Sequence, residues 1–285
     1  MLRKVLTSIT LAAGLLAAAT ATAEPPSVPD SAYGEGAVDG DNPRVESRLI
    51  VDHDPVEAGG AMRVGVLFSM DPDWHIYWRN SGDAGMSTEI AWSGEGITFE
   101  PLAWPAPHAF AQKGEVYTFG YADEVLLYSK ARVADGASGE VTVEAKVDYL
   151  ACKIDCIPGS STLTRTIAVG QERTANKRVT RLFGRYIDRV PNAPKEVEVA
   201  TEVVYSQKPV RPGDTIRAAV GLDFCPEGPD TCNNYEVTGD VAKYRFIPDA
   251  TSQVSWKTTG VYKHPTSKAG RVLELEGKAS PNAPE

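Results

Sequence analysis

From Val45 onward the chain alternates short apolar-rich runs with clusters of Gly, Pro, Asp and Asn. The runs are VESRLIV, AMRVGVLFSM, TEIAWS, ITFEPLAW, EVYTFGY, EVLLYSKARV, EVTVEAKVDYL and STLTRTIAV. In Val141-Thr142-Val143-Glu144-Ala145-Lys146-Val147 apolar and polar residues alternate strictly, the period that sends successive side chains to opposite faces of a strand. Turn signals recur at about 8–12 residues, as in an antiparallel β-sandwich, so residues 45–170 predict an all-β domain.

Residues 171–194 break this rhythm. Val179, Leu182, Phe183, Tyr186, Ile187 and Val190 recur at steps of three and four, which places them on one face of a helix that Pro191 and Pro194 end. Lys177, Arg178, Arg181, Arg185 and Arg189 crowd the remainder. A basic amphipathic helix of this kind either meets a membrane or partner or lays its apolar side on the sandwich, and the packed arrangement is expected.

A second, smaller β module is expected over residues 195–285, and it need not form a complete sandwich. Its opening echoes the first: Val51-Asp52-His53-Asp54-Pro55-Val56, Gly59 and Met62-Arg63 align with Tyr205-Ser206-Gln207-Lys208-Pro209-Val210, Gly213 and Ile216-Arg217 at a constant offset. The pattern suggests a duplicated strand-turn-strand unit.

Two segments lie outside these modules. Residues 1–23 read as a secretory signal peptide, with Arg3 and Lys4 before the apolar stretch Val5 to Ala19 and a small-residue cleavage site near Ala23. Residues 24–44, rich in Pro, Gly, Ser and Asp, read as a flexible tether. Export, with the periplasm as the destination, makes disulfides chemically sensible.

Composition narrows the function. The formal net charge of −9 argues against a nucleic-acid partner. No later apolar run approaches the roughly 18 residues of a membrane span, so no span is expected once the leader is removed.

The four cysteines fall into two close pairs. Cys152-Lys153-Ile154-Asp155-Cys156 follows a strand and precedes Ile157-Pro158-Gly159, so the pair sits on a strand-end turn. A bridge closing so small a ring gains little chain-entropy stabilisation. That makes it a candidate for electron exchange, while a permanent hairpin staple stays open from the spacing alone. Lys153 favours a thiolate and Asp155 opposes one. Cys225 and Cys232 flank two prolines and a glycine, the pattern of a structural disulfide at the base of a rigid loop.

Aromatic residues cluster in Asp73-Trp74-His75-Ile76-Tyr77-Trp78-Arg79, in Trp104-Pro105-Ala106-Pro107-His108 and in Tyr117-Thr118-Phe119-Gly120-Tyr121. Trp74 and Trp78 fit a sandwich core. His75 has the chemistry of a general base, yet no Ser or Cys nucleophile stands in an elbow or triad signature. No metal site is expected, because the first cysteine pair has no second pair or His near it in sequence, and only His75 or His108 could approach through the fold.

Together these motifs resemble the amino-terminal periplasmic domain of the DsbD family of thiol:disulfide interchange proteins, in particular the branch related to the copper-tolerance protein ScsB. The resemblance runs from about Val45 to Pro194 and rests on WHIYWRNSGDAG, on WPAP, on YTFGY followed by EVLLY, on YLACKIDCIPG and on the basic helix. It implies an immunoglobulin-like sandwich with no cofactor. Its redox pair, Cys152 and Cys156, would accept electrons from a thioredoxin-like donor and pass them to a periplasmic disulfide isomerase or related thiol protein. It also implies Tyr117 and Phe119 as an aromatic cap over the disulfide. A full family member continues into a membrane domain and a thioredoxin-like domain; here the donor is expected on another chain. The competing reading is a non-catalytic sandwich that binds a partner or metal and has structural disulfides only.

Overall fold

The computed structural model describes residues 32–39, 42–112, 116–191, 200–223, 246–247, 254–267 and 270–281. The expected signal peptide and the Cys225/Cys232 pair lie outside the described residues.

Two sheets pack into an immunoglobulin-like sandwich. The first contains β1 (Tyr33–Asp39), β2 (Asn42–Val51), β4 (Ala61–Met70), β10 (Glu124–Val133) and β7 (Ile97–Phe99), in the order β1-β2-β4-β10-β7. The second runs β3 (Val56–Glu57), β12 (Cys156–Gly170), β11 (Gly139–Cys152), β5 (His75–Gly82), β9 (Val116–Ala122) and β8 (His108–Gln112), with β6 (Glu89–Ser93) also on β11. Strict alternation in β11 has the expected result: Val141, Val143, Ala145, Val147, Tyr149 and Ala151 are buried. Across the interior, the Phe68 ring meets Tyr149 edge-on at 5.5 Å.

The segment read as a tether is in part a strand. β1 pairs antiparallel with β2 from Tyr33↔Arg48 to Asp39↔Asn42, so residues from Tyr33 belong to the sandwich. Composition misled here because the glycines serve close packing instead of flexibility. A Cβ on Gly36 would stand 2.5 Å from the Tyr149 hydroxyl, and one on Gly34 2.6 Å from Ser161 Oγ.

Helix α1 (Lys177–Ile187) starts at Asn176, whose side chain accepts from the backbone N–H groups of Arg178 and Val179. Its apolar face packs on the sandwich, with Phe183 and Tyr186 buried and Phe183 edge-on to Tyr128 at 5.7 Å. Tyr186 also donates to the Glu124 carbonyl at 3.0 Å.

A third sheet follows, ordered β13 (Ala200–Tyr205), β14 (Thr215–Asp223), β16 (Arg271–Ala279) and β15 (Val254–Lys263). Ala218, Val220, Leu273 and Leu275 form its own small core. The sequence echo is also a structural one. Val51↔Val64 in β2–β4 and Tyr205↔Ala218 in β13–β14 are equivalent pairs, as are Asp52 N–H to Arg63 O and Ser206 N–H to Arg217 O. Both turns carry a cis X–Pro bond and a left-handed glycine, Gly59 at φ 68° and Gly213 at φ 81°. The order β13-β14-β16-β15 thus reproduces β2-β4-β10-β7 of the first sandwich.

Candidate functional site

The site is built at the tip of the longest hairpin. β11 and β12 stay in register from Gly139↔Val169 to Cys152↔Cys156, and the three residues Lys153 to Asp155 turn the chain. The final pair is a disulfide, with Cα atoms 4.1 Å apart. Cys152 ends the outward-facing set of β11, opposite in phase to the core residues Tyr149 and Ala151.

The two sulfurs have unequal surroundings. Cys152 is 2% exposed, whereas Cys156 is open to solvent. Cys152 lies beside His75 in the β11–β5 ladder, and two residues farther along β5, on the same face, the Tyr77 hydroxyl donates to Cys152 Sγ at 3.1 Å. Burial pushes the Tyr77 phenol above its ordinary range, so it stays a protonated donor. Burial also lowers the His75 pKa, which favours a neutral imidazole. The His75 ring packs edge-on to Tyr77 and stacks on Phe110 of β8 at 4.6 Å. Its Nε2 atom is buried and has no hydrogen-bond partner among the described residues.

The turn itself projects outward. Ile154 is 91% exposed, an apolar side chain held in solvent at the tip. Beside it Lys153 reaches Asp73 at 3.0 Å, a contact between two accessible groups that draws the ammonium toward the loop before β5.

The expected cap residues lie elsewhere. Phe119 is 6% exposed and belongs to the sandwich core, and the ladder pairs it with Ala109 as it pairs Tyr117 with Ala111. Phe110 pairs with Thr118, so it occupies the alternate face, the one that carries Tyr77 and His75. The ring pointed toward the disulfide environment is therefore one the sequence reading did not single out. Tyr77 was visible only as part of an aromatic cluster; its spacing of two from His75 was the available signal. Trp74 and Trp78 are core residues. His108 sits exposed on β8, and among the described residues no group of three His, Cys, Asp or Glu side chains is placed to hold a metal ion.

An accessible disulfide at a hairpin tip, held from beneath by a hydroxyl donor on an immunoglobulin-like sandwich, defines a domain of the thiol:disulfide interchange class. Residues 47–168, which carry the Cys152–Cys156 disulfide, match the family model described as thiol:disulfide interchange protein DsbD, N-terminal. The chain also superposes on the N-terminal periplasmic domain of ScsB from Proteus mirabilis, with a TM-score of 0.55 and 17% identity over 89% of each chain. That correspondence is one of fold, and it extends well beyond the residues matched by the family model. No curated protein matches the chain in sequence. Among the described residues no helix is long and apolar enough to cross a membrane.

Proposed function

We propose that the protein is an exported, periplasmic thiol:disulfide exchange module in which Cys156 is the sulfur attacked and Cys152 the sulfur that leaves. The observation that carries this reading is the unequal setting of the two cysteines: one sulfur open to solvent, the other buried and already accepting the Tyr77 hydrogen bond. A donor thiolate attacks Cys156 Sγ, the Cys152–Cys156 bond breaks, and its electron pair stays on Cys152 as a thiolate facing the Tyr77 hydroxyl. The donor's second thiolate then attacks its own sulfur in the mixed disulfide, which releases Cys156 as a thiolate and leaves the donor oxidised. In the second half, Cys156 attacks the disulfide of an acceptor and Cys152 resolves the new mixed disulfide, restoring the bridge and leaving the acceptor as a dithiol. No cofactor takes part.

The donor of this scheme is a thioredoxin-like domain on another chain, and the acceptor is a periplasmic disulfide isomerase or related thiol protein. Ile154 and the turn around it form the first surface either partner meets. His75, stacked on Phe110, supplies the aromatic cover on this side of the bridge in place of Tyr117 and Phe119.

The test is trapping. A Cys152→Ser variant leaves the exposed Cys156 thiol without its resolving partner, so its attack on the disulfide of an oxidised acceptor stops at the mixed disulfide, which accumulates; Cys156→Ser accumulates far fewer. A reduction potential below about −300 mV for the native pair, the range of inert structural bridges, overturns the reading in favour of a non-catalytic binding protein.

A further inference from the structure

Helix α1 carries an arrangement that neither its own stability nor the exchange chemistry explains. On α1, Lys177, Arg181 and Arg185 follow one another at four-residue intervals, about 6 Å of helix rise apart, with Arg178 beside them and Arg189 in the turn just past the helix end, so the cations gather in a ridge along one side. All five are exposed. Like charges four residues apart destabilise a helix, and cations in its first turn oppose the macrodipole. The first turn nevertheless holds Lys177 and Arg178 and no acidic residue. The segment from Glu172 to Arg189 carries six basic and two acidic residues in a chain whose net charge is −9.

Neighbouring acids neutralise little of the ridge. Glu124 reaches Arg185 at 3.6 Å, and Asp188 is exposed at the helix end. Arg189 lies over the Tyr186 ring, and Arg181 Nε donates to the Lys177 carbonyl. Lys177, Arg178 and Arg181 have no acidic partner among the described residues. The apolar side chains Val179, Leu182, Phe183, Tyr186 and Ile187 all pack on the sandwich core, so none is free to insert into a bilayer or to anchor a protein interface.

We infer that the Lys177–Arg189 ridge docks the protein on the surface of a bilayer bearing anionic phospholipid headgroups. Protein interfaces seat their Trp, Tyr and Arg anchors in well-packed, desolvated pockets, whereas these cations stand exposed in a row with no free aromatic or apolar side chain among them. A planar array of phosphates needs only a row of cations, and guanidinium groups pair with phosphate bidentately. Each basic residue near such a surface adds to the attraction, which falls off within a Debye length. Contact is therefore peripheral, reversible and sensitive to salt, and it is independent of the state of the Cys152–Cys156 bridge.

The test is flotation with vesicles of phosphatidylcholine alone or with phosphatidylglycerol at a 7:3 ratio, using the chain from Glu24 onward, which keeps every described residue. The expected result is binding only to the phosphatidylglycerol vesicles, lost at about 0.5 M NaCl. Lys177→Glu with Arg178→Glu and Arg181→Glu should weaken it at least tenfold. Acids in the first turn suit the helix dipole, so this variant is expected to fold, as circular dichroism and an unchanged rate of disulfide reduction by dithiothreitol would show. Lys146→Glu with Lys263→Glu and Lys278→Glu gives the same net charge elsewhere and should bind as the wild type does. Equal binding to both vesicle types, an equal loss in the two triple variants, or binding to polyglutamate without binding to vesicles overturns the inference.

Discussion

The Tyr77 hydroxyl donates a hydrogen bond to Sγ of Cys152 at 3.1 Å, and both side chains are 2% exposed. When the bridge opens, this hydroxyl is placed to stabilise the Cys152 thiolate in a site that water reaches poorly. A hydrogen bond to a charged group is worth about 1.5–3 kcal/mol, so its loss should be visible in both rate and acidity. Tyr77→Phe is expected to slow reduction of the bridge by about tenfold and to raise the Cys152 thiol pKa, because the thiolate loses its hydrogen-bond donor. Stopped-flow reduction and thiolate absorbance titration of a Cys156→Ala background check the two effects. An unchanged pKa with an intact fold would show that the contact only fills space.

Ile154 is 91% exposed between the two cysteines, where an apolar side chain gains nothing from the fold. Its expected role is contact with the apolar surround of a partner's active cysteine. Ile154→Ala should raise the KM for a thioredoxin-like donor about fivefold or more, as truncating a central interface anchor does. Reduction by dithiothreitol, which needs no docking surface, should keep its wild-type rate, and the thermal midpoint should not move. Parallel losses with both reductants would instead place Ile154 in the turn's own geometry.

How far the sequence could reveal this site follows from local and non-local terms. The β11–β12 hairpin was legible because alternation and turn chemistry are local, and so was the packed face of α1. The partners of the disulfide were not. Tyr77 meets Cys152 across 75 positions of chain, through a ladder in which β5 pairs with β11 only at its first residues. Phe110 and Phe119 differ by one phase of the β8–β9 register, and a one-residue shift decides which ring faces the core. Strand β1 was hidden for another reason: its glycines allow the close contact with Tyr149, while composition alone reads them as flexible.

Asp52 has no solvent exposure and accepts from the Arg63 backbone N–H at 2.8 Å, from Arg63 Nη1 at 2.9 Å and from His53 at 2.6 Å. The segment leading into α1 is bonded to the same stretch through its backbone, with Asp54 N–H donating to the Thr174 carbonyl and Asn176 N–H to the Asp52 carbonyl, each at 3.0 Å. This cluster ties the linker to the end of β2. Asp52→Ala leaves a guanidinium and an imidazole without their acceptor and is expected to cost about 3 kcal/mol, as breaking a buried charged network does. Urea denaturation measures it, and faster proteolysis between Gly170 and Lys177 should accompany the loss. A cost well under 1 kcal/mol would mean that Arg63, one-third exposed, is stabilised by water instead.

His75 gives the site a dependence on pH whose sign is fixed by its burial. Desolvation lowers its pKa below 6.5, while in the unfolded chain the imidazole titrates near that value. The unfolded state therefore binds more protons in the window below about 6.5, and stability contributed at this position is present above the window and declines as pH falls through it. His75→Phe keeps a ring for Phe110 to stack on and removes the buried, unpartnered Nε2. The variant is expected to match or exceed the wild type in stability at pH 5 and to show a shallower change in urea midpoint between pH 7 and pH 5. Identical slopes in the two proteins would show that His75 does not set the acid sensitivity of the fold.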